Sequence, residues 1–169
     1  DAAGAGVPVM ANLQPSGTYL MDDLYREEIL AHYKRPHHWG ELDAPDLEYQ
    51  DTNPLCGDEI EVFLQVDDGV VTDVKVGGQG CSISQSSASM MSQAVKGKPV
   101  AEVRALVKRF KGMMSIESDG DDGVDPALVE SAKLGDLEAL QGVVKFPVRI
   151  KCATLSWNTL LDALSQTTA

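Results

Sequence analysis

Residues 58–76 read "DEIEVFLQVDDGVVTDVKV", and this stretch decides the fold. Ile60, Val62, Leu64 and Val66 alternate with Glu59, Glu61, Phe63 and Gln65. Side chains of a strand point to opposite faces at period two, so the pattern predicts a strand buried on one side only. Asp68-Gly69 is a tight-turn pair whose members tolerate positive φ, and Val70, Thr72, Val74 and Val76 carry the alternation on past it. Together they predict a β-hairpin. Upstream, "LEYQD" at 47–51 supplies a third strand, giving a small antiparallel sheet.

On either side of the sheet the period changes to that of helices. Asp22 or Asp23 is placed to cap a first helix, in which Tyr25, Ile29 and Tyr33 recur at helical spacing before Pro36 ends it. After the hairpin, Ile83, Ser87, Met90, Met91, Ala94 and Val95 share one helical face, with Gly97 suited to the C-terminal cap. Pro99 suits the first turn of the next helix, whose buried stripe is Val103, Leu106, Val107 and Phe110. Residues 112–142 are rich in Gly and Asp and read as an insertion or mobile lobe with one short helix from Pro126 to Leu140. A last helix is expected from near Arg149, with Ala153, Trp157, Leu160 and Leu164 as its apolar stripe. The fold class is therefore α+β, a three-stranded antiparallel sheet packed against helices.

A chain of 169 residues has room for one ordinary core. The expected organisation is a tail over 1–21 and one domain over 22–169. With 43 % hydrophobic and 24 % charged residues the composition is that of a globular protein. A net charge of -12 argues against a broad nucleic-acid footprint. The charge is uneven: Lys96, Lys98, Arg104, Lys108, Arg109 and Lys111 make 96–111 basic, while 117–138 is strongly acidic. Such runs are commonly solvated surface, and the sharper reading is a partner's docking face. No apolar run has bilayer-crossing length. The first twenty residues lack the features of a secretory signal or transit peptide, and Met21 is an alternative start. Three cysteines without an export signal favour reduced thiols and a cytoplasmic location.

Each cysteine falls at a joint between elements. Cys56 sits in "NPLCGD" before the hairpin, Cys81 at the strand-to-helix junction, and Cys152 in what reads as the first turn of the last helix. A helix N-terminus favours a thiolate. With Asp58 the three sulfurs make a four-ligand set that suits zinc or an iron-sulfur cluster. The spacings, 25 and 71 positions, are unlike the compact pairs of a zinc finger. Spacing alone leaves open both a metal site and three unrelated free thiols. The neighbouring His37 and His38 are weaker metal candidates, since adjacent histidines rarely converge on one ion.

Four motifs, "LYREEILAHYKRPHHWG" (24–40), "NPLCGD" (53–58), "GGQGCSISQSSASMM" (77–91) and "RIKCATLSW" (149–157), resemble the U-type iron-sulfur cluster assembly family, which includes IscU, the NifU N-terminal domain and SufU. The resemblance spans residues 22–166 and favours the SufU branch. Scaffold-type members carry a histidine immediately before the third cysteine, where this chain has Lys151, and they lack the 112–142 segment. The Leu-Pro-Pro-Val-Lys element through which IscU engages its chaperone stands here only as "KFPVRIK" (145–151).

The resemblance implies a SufE/IscU-like fold and a zinc-dependent sulfur acceptor for a SufS-type cysteine desulfurase, acting with downstream iron-sulfur assembly proteins. By motif position Cys56, Asp58, Cys81 and Cys152 would bind zinc. Cys56 would accept the persulfide sulfur once a ligand from the desulfurase displaces it from the metal, and Arg149 would contact that enzyme. Two other readings use the same residues: a scaffold assembling a [2Fe-2S] cluster on the three cysteines and Asp58, and a purely structural zinc module.

Overall fold

A computed structural model describes residues 27–54, 57–116 and 123–166. Three strands form one antiparallel sheet in the order β1-β2-β3: β1 (Leu47–Asn53), β2 (Asp58–Asp67) and β3 (Val70–Gln79). Asp68 and Gly69 both take positive φ, 53° and 76°, as a two-residue hairpin turn demands. Ile60, Val62, Leu64, Val74 and Val76 are fully buried on the inner face. The expected alternation breaks at one point. Gln65 pairs with Asp73 but Val66 with Val71, so Thr72 is the extra residue of a β-bulge. The bulge turns Val71 inward and leaves Thr72 exposed, correcting the alternation read from Val70 and Thr72.

Around the sheet lie α1 (Glu27–Lys34), α2 (Ser82–Val95), α3 (Val100–Met113), α4 (Pro126–Ser131), a 3-10 helix (Gly135–Lys145) and α5 (Pro147–Leu164). α5 packs on β1, β2 and α2, and α1 lies against α2. Phe110 of α3 stacks on Trp157 of α5 with ring centroids 4.4 Å apart, and the Trp157 indole donates to Ser87 Oγ of α2 at 3.0 Å. One aromatic pair and one hydrogen bond thus tie three helices together, and all three side chains are buried. Pro99 stands just before α3 instead of inside it.

Two helices differ further from expectation. In α1 the inward residues are Ile29 and His32, while Tyr33 is 43 % exposed. A buried imidazole needs partners, and His32 has them: Nδ1 lies 2.8 Å from Ser89 Oγ and Nε2 3.2 Å from Asp136 Oδ2. The positions of Asp22, Asp23 and Tyr25 fall outside the described residues. Over 126–140 the single expected helix is two pieces. α4 stops at Ser131, and the 3-10 helix follows with Leu137, Ala139, Leu140 and Val143 buried. Gly135, at φ 55°, marks the break between them. Among the described residues no helix is long and apolar enough to cross a membrane.

Candidate metal centre

Asp58 opens β2, and Cys81 stands two residues past the end of β3, its antiparallel neighbour. Pairing of Glu59 with Gln79 therefore brings the two residues to the same end of the sheet. Asp58 is 1 % exposed, and its Oδ1 accepts the Cys81 backbone N–H at 2.9 Å. Its other oxygen, Oδ2, lies 3.9 Å from Cys81 Sγ. One carboxylate oxygen fixes the backbone and the second faces the sulfur.

Cys81 is the N-cap of α2, with extended backbone (φ -73°, ψ 171°). Its Sγ accepts the Ser84 N–H at 3.5 Å and also meets Ser84 Oγ at 3.8 Å. This is the N-cap geometry usually filled by Ser or Asp, here built on sulfur. Gly80 makes room for this arrangement. A Cβ there would lie 2.6 Å from Asp58 Oδ1 and closer still to Ser84 Oγ.

Cys152 arrives from α5 and is fully buried. The sequence placed it in the first turn, but α5 begins at Pro147, so Cys152 is the sixth residue and lies in the second turn. Proline favours the first helical position, which moves the start two residues upstream of Arg149. The free N–H groups of the terminus are therefore a turn away from Cys152. A cation stands near instead: Arg149, three residues earlier on α5, lies within electrostatic reach of Cys81 and Cys152. Burial would weaken its charge, but its attraction to Cys81 and Cys152 outweighs burial and holds the guanidinium above its ordinary value. Sequence reading assigned Arg149 only to a partner's surface. The signal that would have found its nearness to Cys152 is its spacing of three, one helical turn.

Asp58, Cys81 and Cys152 bring one carboxylate oxygen and two sulfurs within 4.8 Å of one another. A tetrahedral zinc with bonds of about 2.3 Å to sulfur and about 2.1 Å to oxygen spans roughly 3.6 Å from sulfur to oxygen. The observed 3.9 Å between Cys81 and Asp58 is close to that span. Two soft sulfurs and one carboxylate fit zinc, and they equally fit an iron-sulfur cluster. The fourth sequence candidate, Cys56, lies outside the described residues. Its flanks are placed: Gly57 N–H donates to Asn53 O at 2.8 Å, and Asn53 pairs with Asp58.

The other candidates go elsewhere. His38 Nδ1 is 3.0 Å from Ser92 Oγ, and the His37 backbone N–H donates to Ser89 Oγ at 2.7 Å. Both histidines hold the 36–39 turn on α2. A cleft of about 880 Å³ lies between α3, α4 and the 3-10 helix. Lys108, Arg109, Met113, Val129 and Leu134 are in its lining, and it shares no residue with the thiol centre. Size and chemistry disagree here, and a convergent donor set is the more specific indicator of function.

A small antiparallel sheet flanked by helices, carrying a cysteine-aspartate donor group at one sheet end, defines a metal- or sulfur-handling α+β protein. The chain belongs to the NifU-like N-terminal domain family, whose model matches residues 24–153. It is 47 % identical over 140 residues to the zinc-dependent sulfurtransferase SufU of Bacillus subtilis, covering 83 % of this chain and 88 % of that one. It is 41 % identical over 146 residues to the iron-sulfur cluster assembly scaffold protein IscU of Streptococcus pyogenes, covering 86 % of each. Among solved structures, a SUF-system scaffold protein from Fervidobacterium islandicum superposes with a TM-score of 0.69 at 28 % identity, covering 85 % of this chain and 98 % of that one.

Proposed function

We propose that this protein is a zinc-dependent sulfur acceptor in iron-sulfur cluster assembly, taking persulfide sulfur from a SufS-type cysteine desulfurase through Cys56. The observation that carries the reading is the convergence of Asp58, Cys81 and Cys152 without a histidine, beside Cys56 in sequence. The similarity to the Bacillus sulfurtransferase supports it. So does Lys151, an exposed ammonium where scaffold-type relatives have a potential ligand. The 112–142 segment is read as the insertion of the SufU branch.

In this reading Cys56, Asp58, Cys81 and Cys152 hold zinc, which keeps sulfur ligands deprotonated while restraining their nucleophilicity. The chain's own residues do the rest. Asp58 and the α2 N-terminus fix Cys81, and α5 fixes Cys152. Cys56, in the short β1–β2 connection, is the ligand free to leave. Its thiolate attacks the outer sulfur of the desulfurase persulfide; a new S–S bond forms on Cys56, the old one breaks, and the partner's cysteine departs as thiolate. No external oxidant is required.

The similarity to a Streptococcus scaffold protein favours one second reading, assembly of a [2Fe-2S] cluster on the same residues. Alanine release from cysteine by a SufS-type desulfurase, followed under reducing conditions, separates the two. Sulfur acceptance gives strong stimulation by the zinc-loaded chain, lost in Cys56→Ala with the fold retained. Absence of stimulation, together with cluster formation under anaerobic conditions, supports the scaffold.

A further inference from the structure

Three cations stand on one face of α3. Arg104, Lys108 and Lys111 follow one another at spacings of four and three, so they form a single stripe about 10 Å long. All three are partly buried, and they line a small cavity of about 170 Å³. Facing them are apolar side chains: Ile116 just beyond α3, Val124 just before α4, and Leu161 of α5. No carboxylate lines the cavity. Among the described residues none forms a salt bridge with Arg104 or Lys111. Asp162 favours the charge on Lys111, but burial outweighs it and lowers the Lys111 pKa.

Cations around an apolar wall, with no acid in the lining to neutralise them, are complementary to a ligand that is apolar at its centre and anionic at its flanks. The volume narrows the choice. Small-molecule sites commonly enclose about 300–1,000 Å³, whereas this cavity has room for one aliphatic side chain. We propose that the cavity anchors an acidic segment of a partner protein, which sets one leucine-sized side chain against Ile116, Val124 and Leu161 while carboxylates beside it meet Arg104, Lys108 and Lys111. An apolar side chain held in a desolvated pocket inside a polar rim is the usual build of an interface hot spot. A chain of net charge -12 repels a long polyanion as a whole. Screening limits what a short segment feels to about 8 Å at physiological salt, and within that reach the α3 cations dominate. Phosphate backbones, moreover, bring nothing apolar to the wall. The cavity shares no residue with Asp58, Cys81 and Cys152, so the proposal stands apart from the sulfur-acceptor reading.

The test is fluorescence anisotropy of a short labelled peptide, with glutamates at helical spacing around a central leucine, titrated with the full chain at low salt. Wild type should bind it, and added salt should weaken the binding. Replacing the peptide's leucine by serine should cost at least about tenfold in affinity, the worth of one buried aliphatic side chain. Arg104→Gln combined with Lys111→Gln should cost about tenfold, the worth of two partly exposed ion pairs. Lys34→Gln combined with Arg35→Gln removes the same charge from the exposed end of α1 and should leave binding unchanged. The serine peptide probes the cavity with the chain intact, whatever the α3 substitutions do to folding. No binding by wild type, equal binding of the serine peptide, or an equal loss in the α1 variant overturns the proposal. So does oligothymidylate of matched charge that binds as tightly, which makes the stripe a general polyanion site. A dimeric chain that the peptide dissociates assigns the cavity to a second copy and overturns it too.

Discussion

Asp58 and Gly80 are the residues on which the centre's geometry turns. Asp58 is a buried carboxylate at a strand start, using one oxygen to fix the Cys81 backbone. Gly80 lets that oxygen and Ser84 Oγ come closer than any Cβ would allow. Gly80→Ala should therefore destabilise the fold by roughly 1–3 kcal/mol and weaken zinc binding, read as a lower urea midpoint and a weaker chelator competition. Gly112→Ala is the control, since nothing lies within 4 Å of a Cβ there and it sits inside a helix. It should stabilise by about 0.5–1 kcal/mol. Wild-type stability and zinc affinity in Gly80→Ala would contradict the crowding argument. Cys81 and Asp58 were legible in the sequence because cysteine and aspartate beside glycines at element joints are rare placements. The role of Gly80 was not, since close approach between a backbone and a side chain 22 positions away is a tertiary fact.

At the scale of elements, α2 is the hub. Its serines receive the whole α1–turn segment: Ser89 meets His32 and the His37 N–H, and Ser92 meets His38 and the His37 carbonyl. His38 has its pKa lowered, first by burial and then by the charges of Lys96, Lys75 and His37, with Asp73 opposing. A histidine whose folded value is depressed binds protons more readily when unfolded. Its contribution is therefore complete above its ordinary value of 6.5 and is lost as pH falls from there through the folded value. His38→Asn, which tolerates the observed φ of 55°, should lessen the drop in urea midpoint between about pH 7.5 and about pH 5.5. An unchanged drop would show that His38 does not carry it. Strand alternation and the helical stripes of α2, α3 and α5 were readable because burial follows their period. The bulge at Thr72 was not, because a bulge depends on register between strands. His32 displaced Tyr33 from the core side of α1 for a similar reason: its partners, Ser89 and Asp136, lie 57 and 104 positions away.

For the whole molecule, the chemistry gathers at one end of the sheet and the charge gathers elsewhere. β2, the N-cap of α2 and α5 bring Asp58, Cys81 and Cys152 to the thiol centre, while the basic residues of α3 line a separate cleft. Assembly from segments so far apart in sequence explains why spacing alone could not distinguish a metal site from three free thiols. The family motifs carried that distinction, and the folded structure supplied the convergence of three of the four residues. The most direct test of Cys56 as sulfur acceptor is mass spectrometry of the zinc-loaded chain after brief incubation with a SufS-type desulfurase and cysteine, with thiols trapped by alkylation. One added sulfur on the peptide bearing Cys56, absent from Cys56→Ala and from a reaction without cysteine, is the expected result. Added sulfur on Cys81 or Cys152 with Cys56 unmodified, or none on any cysteine while the desulfurase turns over, would contradict it.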